Sequence, residues 1–426
     1  MESLFDRQER LGWWRQETLR SVRILVAGAG ALGNETLKNL ALLGARWLLI
    51  VDNDDIAPSN LSRTVFFHPS DIGRRKALVA AERVQALCRE ATSGVRALDA
   101  DLVWDVGLGV FRRVDLILGC VDNDEARLSI NRAARAVGVP WINAGMHELT
   151  GSITVFAPDE GPCFACAATP DQIADARSRY DSCEQVRRRY LAEERLPTIQ
   201  VTSALTSALQ VQEALKVIHG EPVAFGVRYV YNGWTHGFHA ITLPYDPYCL
   251  AHGRLETVIE LPLGADATLE QTLDVLEETL GDGVQVHLDR RYIRRIACRR
   301  CGCSLVIERA AHQLYDDELI CAPCQTANAS AISESLRTPA KESYERESYI
   351  EVVTRFSRHR FGDQPLTDDT AERTLRQLGI PPLHILTVED RQGRYWSCEL
   401  TGDLATTLGD WGRAEAGSGR EKTSAS

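Results

Sequence analysis

The sequence predicts an α/β protein built on a mostly parallel, doubly wound sheet, and three observations carry that expectation. Strand-like and helix-like segments alternate through the first half of the chain, as in a parallel sheet with crossover helices. A glycine-rich run, Gly28-Ala29-Gly30-Ala31-Leu32-Gly33, lies between an apolar strand pattern and a helix pattern. The composition, 44% hydrophobic and 25% charged over 426 residues, is that of a globular protein of two or three domains.

Residues 22–27 read as a strand, 31–43 as a helix and 47–52 as the next strand; 114–120, 125–137 and 141–143 repeat that order, and 153–156 continue the sheet. A helix is expected over 201–218, with Val201, Leu205, Leu209, Leu215 and Ile218 on its apolar face and Gly220 as its left-handed cap. The first domain is expected to span 1–253. Residues 254–324 read as a smaller α+β unit, with a strand at 256–261, a helix at 269–280, a strand at 285–288 and a cysteine cluster. An Ala-, Ser-, Thr- and Glu-rich linker is expected at 325–344, a small α/β cap at 345–410 and a disordered tail at 411–426.

The net charge of −11 argues against a partner that is nucleic acid or an anionic membrane surface. No apolar run reaches the roughly 18 residues of a membrane helix, and the charged start does not resemble a signal peptide, so a cytoplasmic protein is expected. Most of the twelve cysteines fall in close clusters of a large chain, which suits metal binding better than disulfides.

The glycine run would bring backbone close to a phosphate at a helix N-terminus, and Asp52 ends the next strand where a carboxylate takes ribose hydroxyls. Those features alone would suit an NAD-dependent dehydrogenase. The stretch that follows holds Asn60, Arg63 and, after Asp71-Ile72-Gly73, Lys76. Arginine and lysine there suit a triphosphate, and Asp122, just beyond a strand end, adds a carboxylate suited to magnesium.

Taken in order, Asp6-Arg7-Gln8, the glycine loop, Asp52, Asn60, Arg63, Lys76, Asp122-Asn123 with Arg127, the first cysteine pair and Gln212-Glu213-Ala214-Leu215-Lys216 resemble the ThiF/MoeB-type adenylyltransferases. That superfamily includes the ubiquitin-activating enzymes, and the resemblance covers roughly residues 5–253. It implies ATP bound by Gly28, Gly30 and Gly33, ribose contact by Asp52, phosphate contacts by Arg63 and Lys76, magnesium placement by Asp122, and further nucleotide contacts by Asn60 and Asn123. It also implies a homodimer in which Arg7 reaches the partner subunit's ATP. Two positions depart from the family pattern: Thr64, where glutamine is frequent, and Asn34, where a smaller residue is usual.

Two structural zinc sites are expected. Cys163 and Cys166 form a C-x2-C knuckle that Cys249 and His252 would complete; relatives usually have a second C-x2-C, so the histidine is a departure. Cys298, Cys301, Cys321 and Cys324 match C-x2-C-x19-C-x2-C, a zinc-ribbon spacing in which Cys303 is a spare sulfur or a substitute for Cys301. Around the ribbon lie Arg290, Arg291, Arg294, Arg295, Arg299 and Arg300, read as a solvated face or as a docking surface for an acidic partner.

Relatives carry a mobile loop where residues 169–198 lie, and many have a reactive cysteine in it; Cys183 is the one cysteine of that segment. Arg187, Arg188 and Arg189 would favour its thiolate, and Glu184 would oppose it. Cys88, Cys120 and Cys398 read as core or incidental thiols, with Cys120 the next candidate nucleophile after Cys183.

The function expected is ATP-dependent adenylation of the C-terminus of a ubiquitin-like protein, then a thioester on Cys183 that passes to a separate carrier enzyme. Certain bacterial relatives serve such conjugation systems, some linked to antiphage defence. The alternatives are activation of a sulfur-carrier protein for molybdopterin or thiamin synthesis, a dehydrogenase, and an inactive scaffold subunit.

Overall fold

The computed structural model describes residues 3–88, 94–169, 172, 198–298, 302–314 and 348–412. The chain divides into two compact units, one of residues 1–173, 195–255 and 404–426, the other of residues 174–194 and 256–403.

The first unit opens with two short helices, α1 (Asp6–Glu9) and α2 (Gln16–Ser21), followed by β1 (Arg23–Ala27), α3 (Ala31–Leu43), β2 (Trp47–Val51), α4 (Lys76–Leu87), β3 (Gly94–Leu98), α5 (Leu108–Phe111) and β4 (Leu116–Gly119). Then come α6 (Asp124–Val137), β5 (Trp141–His147), β6 (Thr150–Phe156), α7 (Phe164–Ala167), α8 (Gln200–His219), β7 (Val227–Asn232) and β8 (Gly237–Thr242). The strand order is β3-β2-β1-β4-β5-β6-β7-β8. Strands β1 to β5 pair in parallel and β6 to β8 add an antiparallel edge. All five residues of β1 are buried, as a strand covered by helices on both faces requires. Chain order reverses between β1 and β4, and ligands of such sheets bind beyond the carboxyl ends of the strands at that point.

The apolar face expected for the 201–218 helix holds in its second half, where Leu215 is buried and Leu209 and Ile218 pack against the core, but not in its first turns. There Val201 and Leu205 are exposed, whereas Thr202, Ser203, Thr206, Ser207 and Gln210 face inward. Small hydroxyl residues let α8 lie close on the sheet: a Cβ on Gly151 of β6 would come within 2.0 Å of Thr206 Oγ1. Gln210 spans two strands, donating to Gly119 O at 3.2 Å and Ile142 O at 2.9 Å and accepting from Thr36 Oγ1 at 3.0 Å. Gly220 does close the helix, at φ 72°.

The second unit corrects the expected division of the C-terminal half. It contains β9 (Val258–Leu261), α9 (Leu269–Leu280), β10 (Gln285–Cys298), β11 (Ser304–Ala310), β12 (Ser348–Ser357), β13 (Arg360–Phe361), β14 (Gln364–Pro365), α10 (Asp368–Ala371), β15 (Ile385–Glu389) and β16 (Tyr395–Leu400). Instead of a separate unit and cap, strands from both sides of residues 325–344 share one sheet, ordered β14-β13-β12-β10-β15-β16-β9 with β11 beside β10. Leu273 and Leu276 of α9 enter one core with Val286, Tyr292, Phe356 and Val388. Neither half of that core is complete without the other.

β10 runs far past the expected 285–288 because apolar residues alternate with its arginines. Tyr292, Ile293 and Ile296 are buried among them. Arg290 is buried too and donates to Gly379 O at 3.2 Å, so it belongs to no solvated face. Arg294 and Arg295 both pair with Glu351, at 3.3 and 2.9 Å, and Arg299 and Arg300 lie outside the described residues.

The expected tail starts too early. Trp411 is buried in the first unit, edge-on to Trp47 at 6.1 Å, and its indole nitrogen donates to Gly94 O of β3.

Candidate active site

The loop after β1 is held from three directions. Gly28 has φ +98°, its N–H donates to Val51 O at 2.8 Å, and a Cβ on it would meet Cys120 O at 2.6 Å. A Cβ on Gly33 would come within 2.0 Å of Gly28 O, so the turn closes only on glycine. Gly30 differs: a Cβ there would meet nothing within 4 Å.

Asn34, a departure from the family pattern, proves to be a clamp. Fully buried, it donates to Ala29 O at 2.7 Å and Gly30 O at 3.1 Å and accepts from Phe66 N–H at 3.0 Å. It therefore ties the glycine loop to the segment carrying Asn60 and Arg63. The second departure, Thr64, is buried and donates to Asn60 O at 2.9 Å. Asn60 is buried, with Oδ1 accepting from Ala57 N–H at 2.8 Å.

Asp52 accepts from Ala29 N–H at 2.7 Å and Asp54 N–H at 2.9 Å. Burial pushes its carboxyl up, against the Lys76 charge and those two N–H groups. Lys76 is buried and pairs with Asp54 at 2.7 Å, a carboxylate whose side chain is 66% exposed. Arg63 is half-buried and donates to Thr198 Oγ1 at 2.7 Å. Beside them Asp71 is buried; burial opposes its ionisation, but His68 N–H, Arg74 and Arg83 outweigh that and hold its carboxyl below the usual range.

Asp122, following β4, is exposed. Its neighbour Asn123 is the N-cap of α6, accepting from Ala126 N–H at 2.8 Å. One turn on, Arg127 donates to Val121 O at 2.9 Å and Asp124 at 3.0 Å. Asp52 and Lys76 thus lie by the glycine loop, and Asp122 follows the neighbouring strand end. Arg7 is exposed on α1, and no partner chain is present to show what it would reach.

Cys120 is poorly placed to serve as a substitute nucleophile. It is buried against Thr36 and Gln210, and burial pushes its thiol up to about 12. Cys398 is likewise buried and pushed up to about 11. Cys183, Glu184 and Arg187 to Arg189 lie outside the described residues.

The model matching residues 5–251 is that of the ThiF family, and it spans more than half of the chain. The chain belongs to the ThiF family. Over 253 residues it is 30% identical to the sulfur carrier protein adenylyltransferase of Thermus thermophilus, covering 58% of this chain and 88% of that protein. It is 27% identical over 292 residues to ubiquitin-like modifier-activating enzyme 5 of Oryza sativa subsp. japonica, covering 64% of this chain and 66% of that one. A crystal structure of E. coli MccB with ATP is 18% identical, with a TM-score of 0.48 over 59% of this chain and 74% of that chain.

The ThiF region also brings together Cys163, Cys166, Cys249 and His252, with ligand atoms all within 4.8 Å of one another. Cys163 Sγ is 3.7 Å from Cys166 Sγ and 3.8 Å from Cys249 Sγ, and His252 Nε2 is 3.2 Å from Cys166 Sγ. A tetrahedral zinc with bonds of about 2.3 Å to sulfur sets its sulfurs about 3.8 Å apart, so the group fits the ion. Burial, then the Arg135 charge, holds the His252 imidazole neutral to lower pH, the form a metal needs. Asn131 of α6 accepts from Phe164 N–H at 2.8 Å and sets its amide nitrogen by the Cys163 sulfur. Of the second cluster, Cys298 is buried and Cys303 exposed, while Cys301, Cys321 and Cys324 lie outside the described residues. Among the described residues no helix is long and apolar enough to cross a membrane.

Proposed function

We propose that this ThiF-family chain is an ATP-dependent adenylyltransferase for the C-terminal carboxylate of a ubiquitin-like or sulfur-carrier protein, the partners named for its relatives. The observation that carries the reading is the β1/β4 junction, where the glycine loop, Asp52 and Lys76 stand beside the strand end that leads to Asp122.

Asp52 would take the ribose hydroxyls, and the loop N–H groups, Asn60, Arg63 and Lys76 the phosphates. Lys76 gives up only an exposed partner, Asp54, to do so. Asp122 and Asn123 would hold magnesium, which supplies neutralising charge at the phosphates when bound. The partner's carboxylate attacks the α-phosphorus, the bond to the β-phosphate oxygen breaks, and acyl-adenylate and pyrophosphate form. No general base is needed, because a carboxylate is already ionised at neutral pH. Arg7 of a second copy would complete the phosphate contacts in a homodimer.

Cys183 thiolate would next attack the acyl carbonyl, forming a thioester as AMP leaves, and a carrier enzyme would receive the acyl group. The second unit, with its own core and the second cysteine cluster, supports conjugation because a sulfur-transfer activator has little use for it. The sulfur-carrier reading is favoured by the relative from Thermus thermophilus, whose length the first unit nearly spans. Both zinc clusters are assigned to structure, two ions per chain.

Exchange of labelled pyrophosphate into ATP, with candidate partners added one at a time, tests the reading. Partner-dependent exchange supports it; nicotinamide binding without exchange points to a dehydrogenase. A thioester passed to another protein's cysteine supports conjugation, and a thiocarboxylate product supports sulfur transfer.

A further inference from the structure

The side of β5, β6 and β7 opposite α8 carries polar groups that the described residues leave unmatched. Asn143 pairs with Thr154 and Thr154 with Arg228 across the three strands, so all three side chains leave the sheet on one side. It is the side of Trp141 and Phe156, which meet Phe164 of α7. Asn143 is 7% exposed, and its Oδ1 has no hydrogen-bond partner among the described residues.

Arg228, half-buried, makes no hydrogen bond or ion pair among the described residues. Its charged neighbours are Arg127 and Asp124; burial and the Arg127 charge both work against its own charge. Arg127 is committed to Asp124 and Val121 O, and it lies over Gly145 of β5, whose added Cβ would be 3.6 Å from Nη2. Asp124 already accepts from Arg127 and, at 2.7 Å, from Gln172. Two guanidinium groups therefore share one carboxylate, beside the N-terminus of α6.

A phosphate of ATP does not account for this excess. β7 stands four strands from β1, about 19 Å at the usual strand spacing, while the phosphate-binding loop follows β1. The acidic group acting on Arg228 is Asp124 of α6, not the exposed Asp122 that follows β4.

We propose that Arg228 and Asn143 form a specificity subsite for an acidic side chain in the C-terminal tail of the polypeptide substrate, a few residues upstream of the carboxylate to be activated. Arg228 takes the side-chain carboxylate, and Asn143 Oδ1 accepts a peptide N–H of the extended tail. The subsite rests on the adenylyltransferase reading and adds to it a preference for one residue type.

The test uses full-length protein and N-acetylated hexaglycine peptides with a free C-terminus, in which a single glutamate is moved through the second to fifth positions from the end, each beside its glutamine twin. At one position glutamate should bind about tenfold or more tightly than glutamine. Arg228→Leu should erase that preference, and Arg228→Glu should transfer it to a peptide with lysine at the same position. Arg228→Leu should leave Mg-ATP affinity unchanged and folding stability unchanged or higher, since it removes an unmatched charge. No glutamate preference at any position, or one that survives Arg228→Leu, overturns the proposal, and a loss of stability assigns Arg228 to the scaffold. Failure of the native protein to bind Mg-ATP would instead sink the adenylyltransferase reading.

Discussion

The glycine-loop side of the first unit and the α6 side of its sheet treat buried polar groups in opposite ways. On the first, the buried polar side chains that shape the site are hydrogen-bonded: Asn34 makes three contacts, Asp71 has His68 N–H and two arginines, and Gln210 joins two strand ends. On the second, Asn143 Oδ1, Asn131 Nδ2, Arg127 Nε and Trp141 Nε1 have no hydrogen-bond partner among the described residues, whereas on the first Arg83 Nε alone of the groups named is left so. Satisfied networks fix a geometry, and leaving them unmade is costly. The first region is a finished frame for a ligand bound by backbone; the second keeps polar capacity for groups supplied from outside, a tail on one part and a metal-bound thiolate on another.

The largest expected effect would break this comparison at the Cys/His cluster. Cys163→Ser should lose one zinc per chain and unfold the first unit at markedly lower denaturant, because a structural ion stabilises the element its ligands clamp. Metal analysis beside the denaturation curve checks this, and retention of the full zinc content would remove Cys163 from the ligand set.

Next, Asn34→Ala should cost about 2–4 kcal/mol, since it strands Phe66 N–H and Ala29 O in the interior, while Gly30 O keeps the backbone N–H of residue 34. A lower midpoint at unchanged denaturant slope is the signature. A cost below about 1 kcal/mol would deny Asn34 its clamping role.

The second unit offers a pH test free of the site. Burial works against the Asp390 carboxylate, but Trp396 Nε1, the N–H and guanidinium of Arg394 and Gln392 N–H more than offset it, bringing the carboxyl down to about 2. A carboxyl depressed in the folded state stabilises above its unfolded value of 3.8. That contribution is lost as pH falls from about 4 to about 2. Asp390→Asn should therefore be less stable at neutral pH and lose less stability on acidification across that window, as thermal melts would show.

The smallest effect sharpens the comparison most. Asn143→Leu, which removes an unmatched Oδ1, should change stability by less than about 1 kcal/mol, and in the favourable direction if any, in contrast to Asn34→Ala. A loss comparable to that of Asn34→Ala would mean that both regions are scaffold.

What was legible in the sequence followed from local chemistry. The glycine loop, Asp52 and the C-x2-C knuckle announce themselves because each needs particular residue types at fixed spacing. The first turns of α8 were misread because periodicity weighs apolarity, whereas Thr202, Thr206 and Gln210 were placed by close approach and by strand-end carbonyls; Leu215 further along does face the core. Asn34 stood out only as a departure, since its three partners come from both the loop and Phe66. The union of β10 with β12 and β15 depends on pairing across residues 325–344, and a composition shift there looks like a boundary. Arg228 carries no local signal, because its meaning lies in Asn143 two strands away and Arg127 on α6.

The most direct test of the central claim is partner-dependent pyrophosphate exchange by Asp122→Ala. Asp122 is exposed and, beyond the amide of Asn123 at 3.4 Å, makes no side-chain hydrogen bond or ion pair among the described residues. The account predicts a melting temperature equal to that of the native protein and exchange reduced to background. Native exchange in this folded variant would contradict the assignment of the β4 end to ATP and its metal, and with it the adenylyltransferase mechanism proposed for this chain.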